Sequence, residues 1–383
     1  MRGQSNETRA GGVRDSLEVP RWLSPERPPP RSFVAVGDQT TAASALSLAR
    51  AGRGLLYHGG YHGARQLLAA MGRRLKPSRA PAVSTGPSSP ERLRAVFREE
   101  RERARVEHEV LSRLAVPLGQ GYRLELRGAP DVRKACTEAL GTRALEGVLP
   151  LRDLLGMVGA HEWRRRGVLV PALGARVYPW YGVYAPLRGE YVELVARAAD
   201  AWPVAGKEAI DVGTGTGVLA FLLARRGATV VATDAEPQAV DCARENAARL
   251  GLSGSVLVRL ADLYPGHPAD LVVANPPWLP GEAHGPLERA VYDPGGAVLE
   301  SLVQGLPAAL REGGEAWLVV SDLAERLGLR PSGHIERLAT RAGLVPAGAL
   351  FAPASHPRAR DRADPLHEAR AAEVVRLFRL LRG

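Results

Sequence analysis

Cysteine is scarce in this 383-residue chain: Cys136 and Cys242 are its two, and they stand far apart, so neither a disulfide framework nor a cysteine-rich zinc site can be built. No apolar run approaches the eighteen or so residues that a membrane span needs, and Met1 to Pro30 lacks the apolar core of a signal peptide. Both absences lead us to expect a cytoplasmic protein with no membrane partner. Aromatic residues are few, at 5%, and lysine is rarer still, so the positive charge rests on arginine. What is present is ordinary for a globular chain, with 45% hydrophobic and 24% charged residues, which excludes a mainly disordered or fibrous protein. At roughly 150 residues per domain, the length implies two domains.

The net charge of +10 is unevenly spread. Residues 1–180 hold 30 Lys/Arg against 17 Asp/Glu, a balance of +13, while residues 181–383 hold 21 against 24, a balance of −3. An N-terminal half so basic is suited to docking something acidic, such as RNA or a ribosomal surface. An arginine-rich, lysine-poor composition also arises from a GC-rich genome, and that explanation carries equal weight.

Residues 1–30 are polar and close on Pro28, Pro29 and Pro30, too little apolar surface to offset ordering entropy, and we expect a flexible tail. From Thr41 to Leu75, Ala45, Leu48, Leu55, Leu67, Leu68 and Met71 recur at helix-like intervals, broken near Gly59 and Gly60, which predicts two short helices. A Pro/Ser/Gly linker is expected over Ser78 to Pro90. Glu91 to Leu114 is predicted as a charged helix with Leu93, Val96, Phe97, Val106, Val110, Leu111 and Leu114 on its buried stripe. A short strand over Gly121 to Gly128 follows, and then a helix over Leu151 to Arg166, whose final Arg164, Arg165 and Arg166 suit a helix C-terminus. Residues 31–180 are thus expected to form a basic, mostly helical domain that recruits substrate.

After Pro186 the pattern changes. EAIDVG, ATVVATD, SVLVRLAD, DLVVANPPW and EAWLVVSD are apolar runs of buried-strand length that alternate with helical stretches, notably Val218 to Arg226 and Pro237 to Leu250. Such alternation predicts an α/β fold in which a mostly parallel sheet is covered on both faces and binds ligands at the carboxyl ends of its strands. AEVVRLFRL (Ala372 to Leu380) reads as a last, antiparallel strand. Residues 181–383 are expected to be the catalytic domain.

Two motifs carry the chemistry. Asp211, Val212, Gly213, Thr214, Gly215, Thr216 and Gly217 stand where a strand turns into a helix, and glycines there let the backbone approach a nucleotide-like ligand and open the amides of the helix N-terminus. Asp234 closes the next strand, where a carboxylate can accept both hydrogen bonds of a ribose diol; capping the helix before Glu236 and Pro237 is the structural alternative. The spacing GxGxG rather than GxGxxG counts against a dinucleotide-dependent dehydrogenase. The second motif is Asn275, Pro276, Pro277 and Trp278 at the end of the strand Leu271 to Ala274. An amide or aryl-amino nitrogen has a delocalised lone pair and is a poor nucleophile. The side-chain oxygen of Asn275 and the carbonyl of Pro276 could accept both of its N–H groups and favour the lone pair as it localises. The paired prolines fix the backbone, and Trp278 offers a flat apolar face; a Pro-Pro turn with a packed Trp is the plainer reading.

DVGTGTGVLA resembles the cofactor loop of class I S-adenosylmethionine-dependent methyltransferases, and the NPPW tetrapeptide resembles the NPP-aromatic motif of those that methylate planar nitrogens in glutamine, adenine or guanine. The resemblance implies a Rossmann-like sheet, S-adenosylmethionine as cofactor, and contact of Asp262 with its adenine amino group, Leu263 flanking the ring. Val183 to Glu190 (VYAPLRGE) resembles the PRPETE-type segment of release-factor and ribosomal-protein glutamine methyltransferases, and Tyr292, Asp293 and Pro294 resemble their YEP segment. This narrower likeness implies that Pro186, Arg188, Glu190, Tyr292 and Asp293 line a lid over cofactor and substrate. Trp278 departs from the Tyr usual after the prolines.

Other constellations fail. His161 and Glu162 lack a second histidine four positions on, His58 and His62 sit among glycines without a carboxylate, and neither GxSxG nor a Walker sequence occurs, so no metal is expected. The expected function is methyl transfer to a macromolecule, first a protein glutamine, alternatively an exocyclic amine of RNA or DNA. A non-catalytic adaptor that binds cofactor and nucleic acid is the third reading.

Overall fold

A computed structural model describes residues 20–76, 89–143, 145–355 and 357–383. Nearly all of the expected linker over 78–90, and residues 1–19 of the expected tail, lie outside the described residues. The chain divides into two units, one drawn from residues 1–78 and 103–161 and the other from 79–102 and 162–383.

That division moves two segments out of the expected N-terminal domain. The hairpin Val168–Val170 and Ala175–Val177 buries Val168, Val170 and Val177 in the same apolar cluster as the helix Glu190–Ala201. Leu93 and Phe97 bury against Leu279, Leu323, Leu327 and Leu366. The helix Pro90–Leu111 therefore starts in the second unit and ends in the first. Of its expected stripe Leu93, Phe97, Val110 and Leu111 are buried, Val106 is exposed, and Leu114 begins a strand.

Helices supply most of the regular structure of the first unit, as expected, and a five-stranded sheet runs through it as well. Phe33–Val36 pairs in parallel with Gly54–Tyr57 across the helix Ala42–Arg50, and Gly54–Tyr57 pairs in parallel with Leu114–Gly119. Gly147–Pro150 and the short Arg123–Leu124 add antiparallel partners to Leu114–Gly119. The two expected helices appear as Ala42–Arg50 and Tyr61–Leu75, but Leu55, expected in the helical pattern, lies in the strand Gly54–Tyr57 ahead of the break at Gly59 and Gly60. The described part of the expected tail is docked. Leu23 N–H donates to Val148 O at 3.0 Å, Val148 N–H to Arg21 O at 2.8 Å, and Ser24 Oγ to the buried Asp153 at 2.7 Å.

The second unit carries a seven-stranded sheet in the order Val256–Leu260, Thr229–Asp234, Glu208–Val212, Ala269–Ala274, Leu310–Ser321, Val374–Arg382, Leu344–Pro353. Pairing is parallel through the first five, and Val374–Arg382 is antiparallel to both of its neighbours, as its sequence predicts. The strands read as continuous apolar runs because both faces are covered. Alternate residues Ala209, Leu271, Val273, Trp317 and Val319 bury against the helices Glu190–Ala201, Val218–Ala224 and Pro237–Arg249. Ile210, Val212, Val272, Ala274, Leu318 and Val320 bury against Ala297–Ala309 and His334–Arg341 on the other face.

Candidate functional site

Strand order reverses between Glu208–Val212 and Ala269–Ala274, and in open α/β sheets the crevice at such a point is where ligands bind. The register puts Val212 beside Ala274 on one side and Thr233 on the other, so the residues that follow these strand ends emerge together. There a cavity of about 350 Å³ is lined by the glycine loop, Asp234, Glu236, Asp262, Leu263, Asn275, Pro276 and Pro277, among others. Its volume suits a small-molecule cofactor.

The loop is built by its own hydrogen bonds. Gly213, Gly215 and Gly217 take φ of 70°, 54° and 89°, left-handed values open to residues without a Cβ. Gly217 does not line the cavity; a Cβ there would stand 2.1 Å from the Phe221 ring. The buried Asp211 accepts from Thr214 Oγ1 at 2.6 Å and from Ala220 N–H at 3.0 Å, which ties the loop to the first turn of the helix Val218–Ala224. Burial pushes its carboxyl up to about 7, against the pull of those two donors.

Asp234 accepts from Gly215 N–H at 2.9 Å through one oxygen and from Glu236 N–H at 3.0 Å through the other. Each oxygen keeps a free lone pair, so Asp234 can support the turn and still receive a diol. Burial raises its pKa, opposed by those same N–H donors. The Glu236 and Arg289 side chains pair at 3.4 Å, both among the cavity-lining residues.

Asn275 also lines a second, smaller cavity of about 70 Å³, with Tyr184, Arg188, Tyr191, Trp278, Val291 and Glu373 among its walls. Trp278 Nε1–H donates to Asn275 Oδ1 at 3.0 Å. An indole only donates, so it bonds the oxygen end of the carboxamide and fixes which way that group faces, leaving a second lone pair on Oδ1. The Arg188 guanidinium lies 4.9 Å from the Trp278 ring centre. Arg188 is held in turn by Glu373 at 3.0 Å and Glu190 at 3.4 Å, and Glu373 accepts from Ser321 Oγ at 2.7 Å.

The segments expected to form a lid divide between walls and supports. Arg188 lines the smaller cavity, whereas Pro186 and the buried Glu190 line neither; Glu190 accepts from Ser355 N–H at 2.7 Å. Tyr292 and Asp293 also stand behind the walls. Asp293 is fully buried and accepts from Val298 and Leu299 N–H, both at 3.0 Å, at the start of the helix Ala297–Ala309. Tyr292 and Asp293 pair in parallel with Leu279 and Pro280, and the amides of Trp278 and Leu279 donate to Val291 O. The YDP segment thus closes the loop after NPPW. Sequence reasoning missed Tyr191, Glu236, Gln238, Arg289 and Glu373 as wall residues. Of these, Glu236 and Gln238 carried a signal, since they directly follow Asp234.

A parallel sheet with an antiparallel seventh strand, a glycine loop after its first strand, an acid after its second and NPPW after its fourth define a class I S-adenosylmethionine-dependent methyltransferase. The profile of the methyltransferase small domain matches residues 194–328. The release factor glutamine methyltransferase of Gloeobacter violaceus is 35% identical over 223 residues, 55% of this chain and 70% of that protein, and the chain belongs to that enzyme's family. The corresponding enzyme of Cereibacter sphaeroides is 35% identical over 178 residues, and the match spans 40% of this chain and 63% of that one. A tRNA1(Val) (adenine(37)-N6)-methyltransferase of Pedobacter heparinus is 33% identical over 128 residues, 30% of this chain and 55% of that protein.

Proposed function

We propose that this protein methylates the side-chain nitrogen of a glutamine in a protein substrate, a release factor being the first candidate. One observation carries the reading: Asn275 lines both cavities, so an acceptor nitrogen in the smaller one meets its oxygen on the way to the larger one. Asp234 would receive the ribose hydroxyls, Asp262 the adenine amino group with Leu263 beside the ring, and the loop Gly213, Thr214 and Gly215 the remainder of the cofactor, with Asp211 and Gly217 holding that loop in shape. When bound, S-adenosylmethionine supplies a methyl group already activated on a sulfonium. Asn275 Oδ1 and the Pro276 carbonyl orient the acceptor nitrogen so that its lone pair faces the methyl. The acceptor nitrogen would take that methyl as its C–S bond broke, and the proton then released would go to water.

The basic first unit would recruit the substrate, whose partners are a protein or a nucleic-acid surface such as the ribosome, and the protein would work in the cytoplasm. An RNA or DNA exocyclic amine is the second reading, favoured by the +13 balance of residues 1–180. An adaptor that binds cofactor without transfer has Asn275 against it.

The test has two arms. In calorimetry with S-adenosylmethionine, Asn275→Ala binds as the parent does, while transfer of labelled methyl into a cell lysate is lost. Transfer at the parental rate refutes the role of Asn275. Label in the parental lysate that survives protease and disappears with nuclease rejects glutamine in favour of the nucleic-acid reading.

A further inference from the structure

The loop between NPPW and the helix Ala297–Ala309 roofs both cavities. Pro286, Arg289 and Ala290 line the larger one, and Ala290 and Val291 the smaller. Its anchor comes from far upstream, on the helix Pro90–Leu111. Arg101 is fifteen percent exposed and makes three separate contacts with this loop. Its guanidinium forks onto Glu288, with Nη2 to Oε2 at 2.9 Å and Nη1 to Oε1 at 3.4 Å; Nη2 also donates to Glu282 O at 2.6 Å. The same group stacks over the Tyr292 ring, 3.8 Å from its centre.

A fork of this kind fixes direction as well as distance, which a lysine ammonium at the same place cannot do. Glu288 Oε2 also accepts from His284 N–H at 2.9 Å, so the carboxylate gathers the turn 284–288 around Arg101. The anchor is itself packed in place: Leu93 and Phe97 bury the same helix against Leu279 and Leu323, and Glu100 pairs with Arg370 at 3.5 Å.

We propose that Arg101 is a positioning residue for methyl transfer: it latches the roofing loop in the geometry that completes both cavities, although it lies outside the residues matched by the methyltransferase profile. The proposal rests on the cofactor reading of the larger cavity. It does not depend on the acceptor, so its test uses S-adenosylhomocysteine, which fills the cofactor site without transfer.

Stopped-flow dissociation of S-adenosylhomocysteine and hydrogen exchange of the amides 281–296 are compared in the parent, Arg101→Gln, Arg101→Lys and Glu288→Gln. Loss of the latch raises the dissociation rate about 5- to 30-fold in Arg101→Gln and speeds exchange in 281–296, as expected for a loop gating a site. Glu288→Gln shows part of the same effect, Arg101→Lys recovers little of it, and exchange in the glycine loop 213–217 is unmoved. A parent that fails to bind S-adenosylhomocysteine overturns the cofactor reading itself. A parent that binds, with Arg101→Gln matching it in dissociation and in loop exchange, overturns the latch alone. Loosening of 213–217 to the same degree as 281–296 also overturns it, because Arg101 is then a support of the whole unit.

Discussion

Replacing Trp278 by Phe separates two properties that a general weakening of the site would change together. The indole N–H at 3.0 Å from Asn275 Oδ1 is lost, and with it the donor that fixes the orientation of the carboxamide. One neutral hydrogen bond contributes about 0.5–1.5 kcal/mol, and exchanging an indole for a benzene ring under Arg188 weakens an interaction of about 0.5–1 kcal/mol. The loss falls on acceptor orientation, so kcat/KM drops by about 1–2 kcal/mol, or roughly 5- to 30-fold. Cofactor affinity stays within about 2-fold, a change of less than half a kcal/mol, because Trp278 lines the smaller cavity and not the larger one. Transfer of labelled methyl to lysate acceptors, alongside calorimetry with S-adenosylhomocysteine, reads both quantities. Transfer at the parental rate, or an equal loss of cofactor affinity, refutes the argument that Trp278 acts through Asn275.

Two further perturbations probe the supports of the site. The folded state holds the Asp211 carboxyl up at about 7, well above the ordinary aspartate value of 3.8, so between pH 4 and 7 the folded form binds more protons than the unfolded one. Stability from this group is therefore present at low pH and lost as pH rises through the window, by at most about 4 kcal/mol. Urea unfolding at pH 5 and pH 7.5 should show that loss in the parent and a flatter profile in Asp211→Asn; parallel profiles contradict it. Asp293→Ala removes the acceptor of two amides at the start of the helix Ala297–Ala309 and should cost about 1–2 kcal/mol of stability by urea unfolding. Unaltered stability with weakened acceptor binding would instead return Asp293 to the lid.

Much of the catalytic sheet was legible because its signals are local. A strand buried on both faces is an uninterrupted apolar run, and its chemistry is written in the residues that leave its carboxyl end, as in Asp211 to Gly217 and Asn275 to Trp278. The first unit hides its strands for the opposite reason. Phe33–Val36 and Gly54–Tyr57 are four residues each, too short to show a period, and are strands because each lies beside the other. Residues 21–24 carry no strand signal at all; they are ordered by backbone bonds to Val148 and by the pair Ser24–Asp153.

The lid shows a different limit. A motif marks residues a site needs without saying whether they touch its contents. Asp293 lies in a segment expected over the substrate, yet both its oxygens are spent on Val298 and Leu299, and it shapes the wall from behind. Arg188 was expected in the same lid and does reach a cavity, through its hold on Trp278 rather than as a cover. Arg101 carries no motif whatever: in sequence it is one more arginine of a charged helix, and its partner Glu288 lies 187 residues away. Only the fold can bring such a pair together, which is why the residues that hold this site's shape were harder to read than those at its centre.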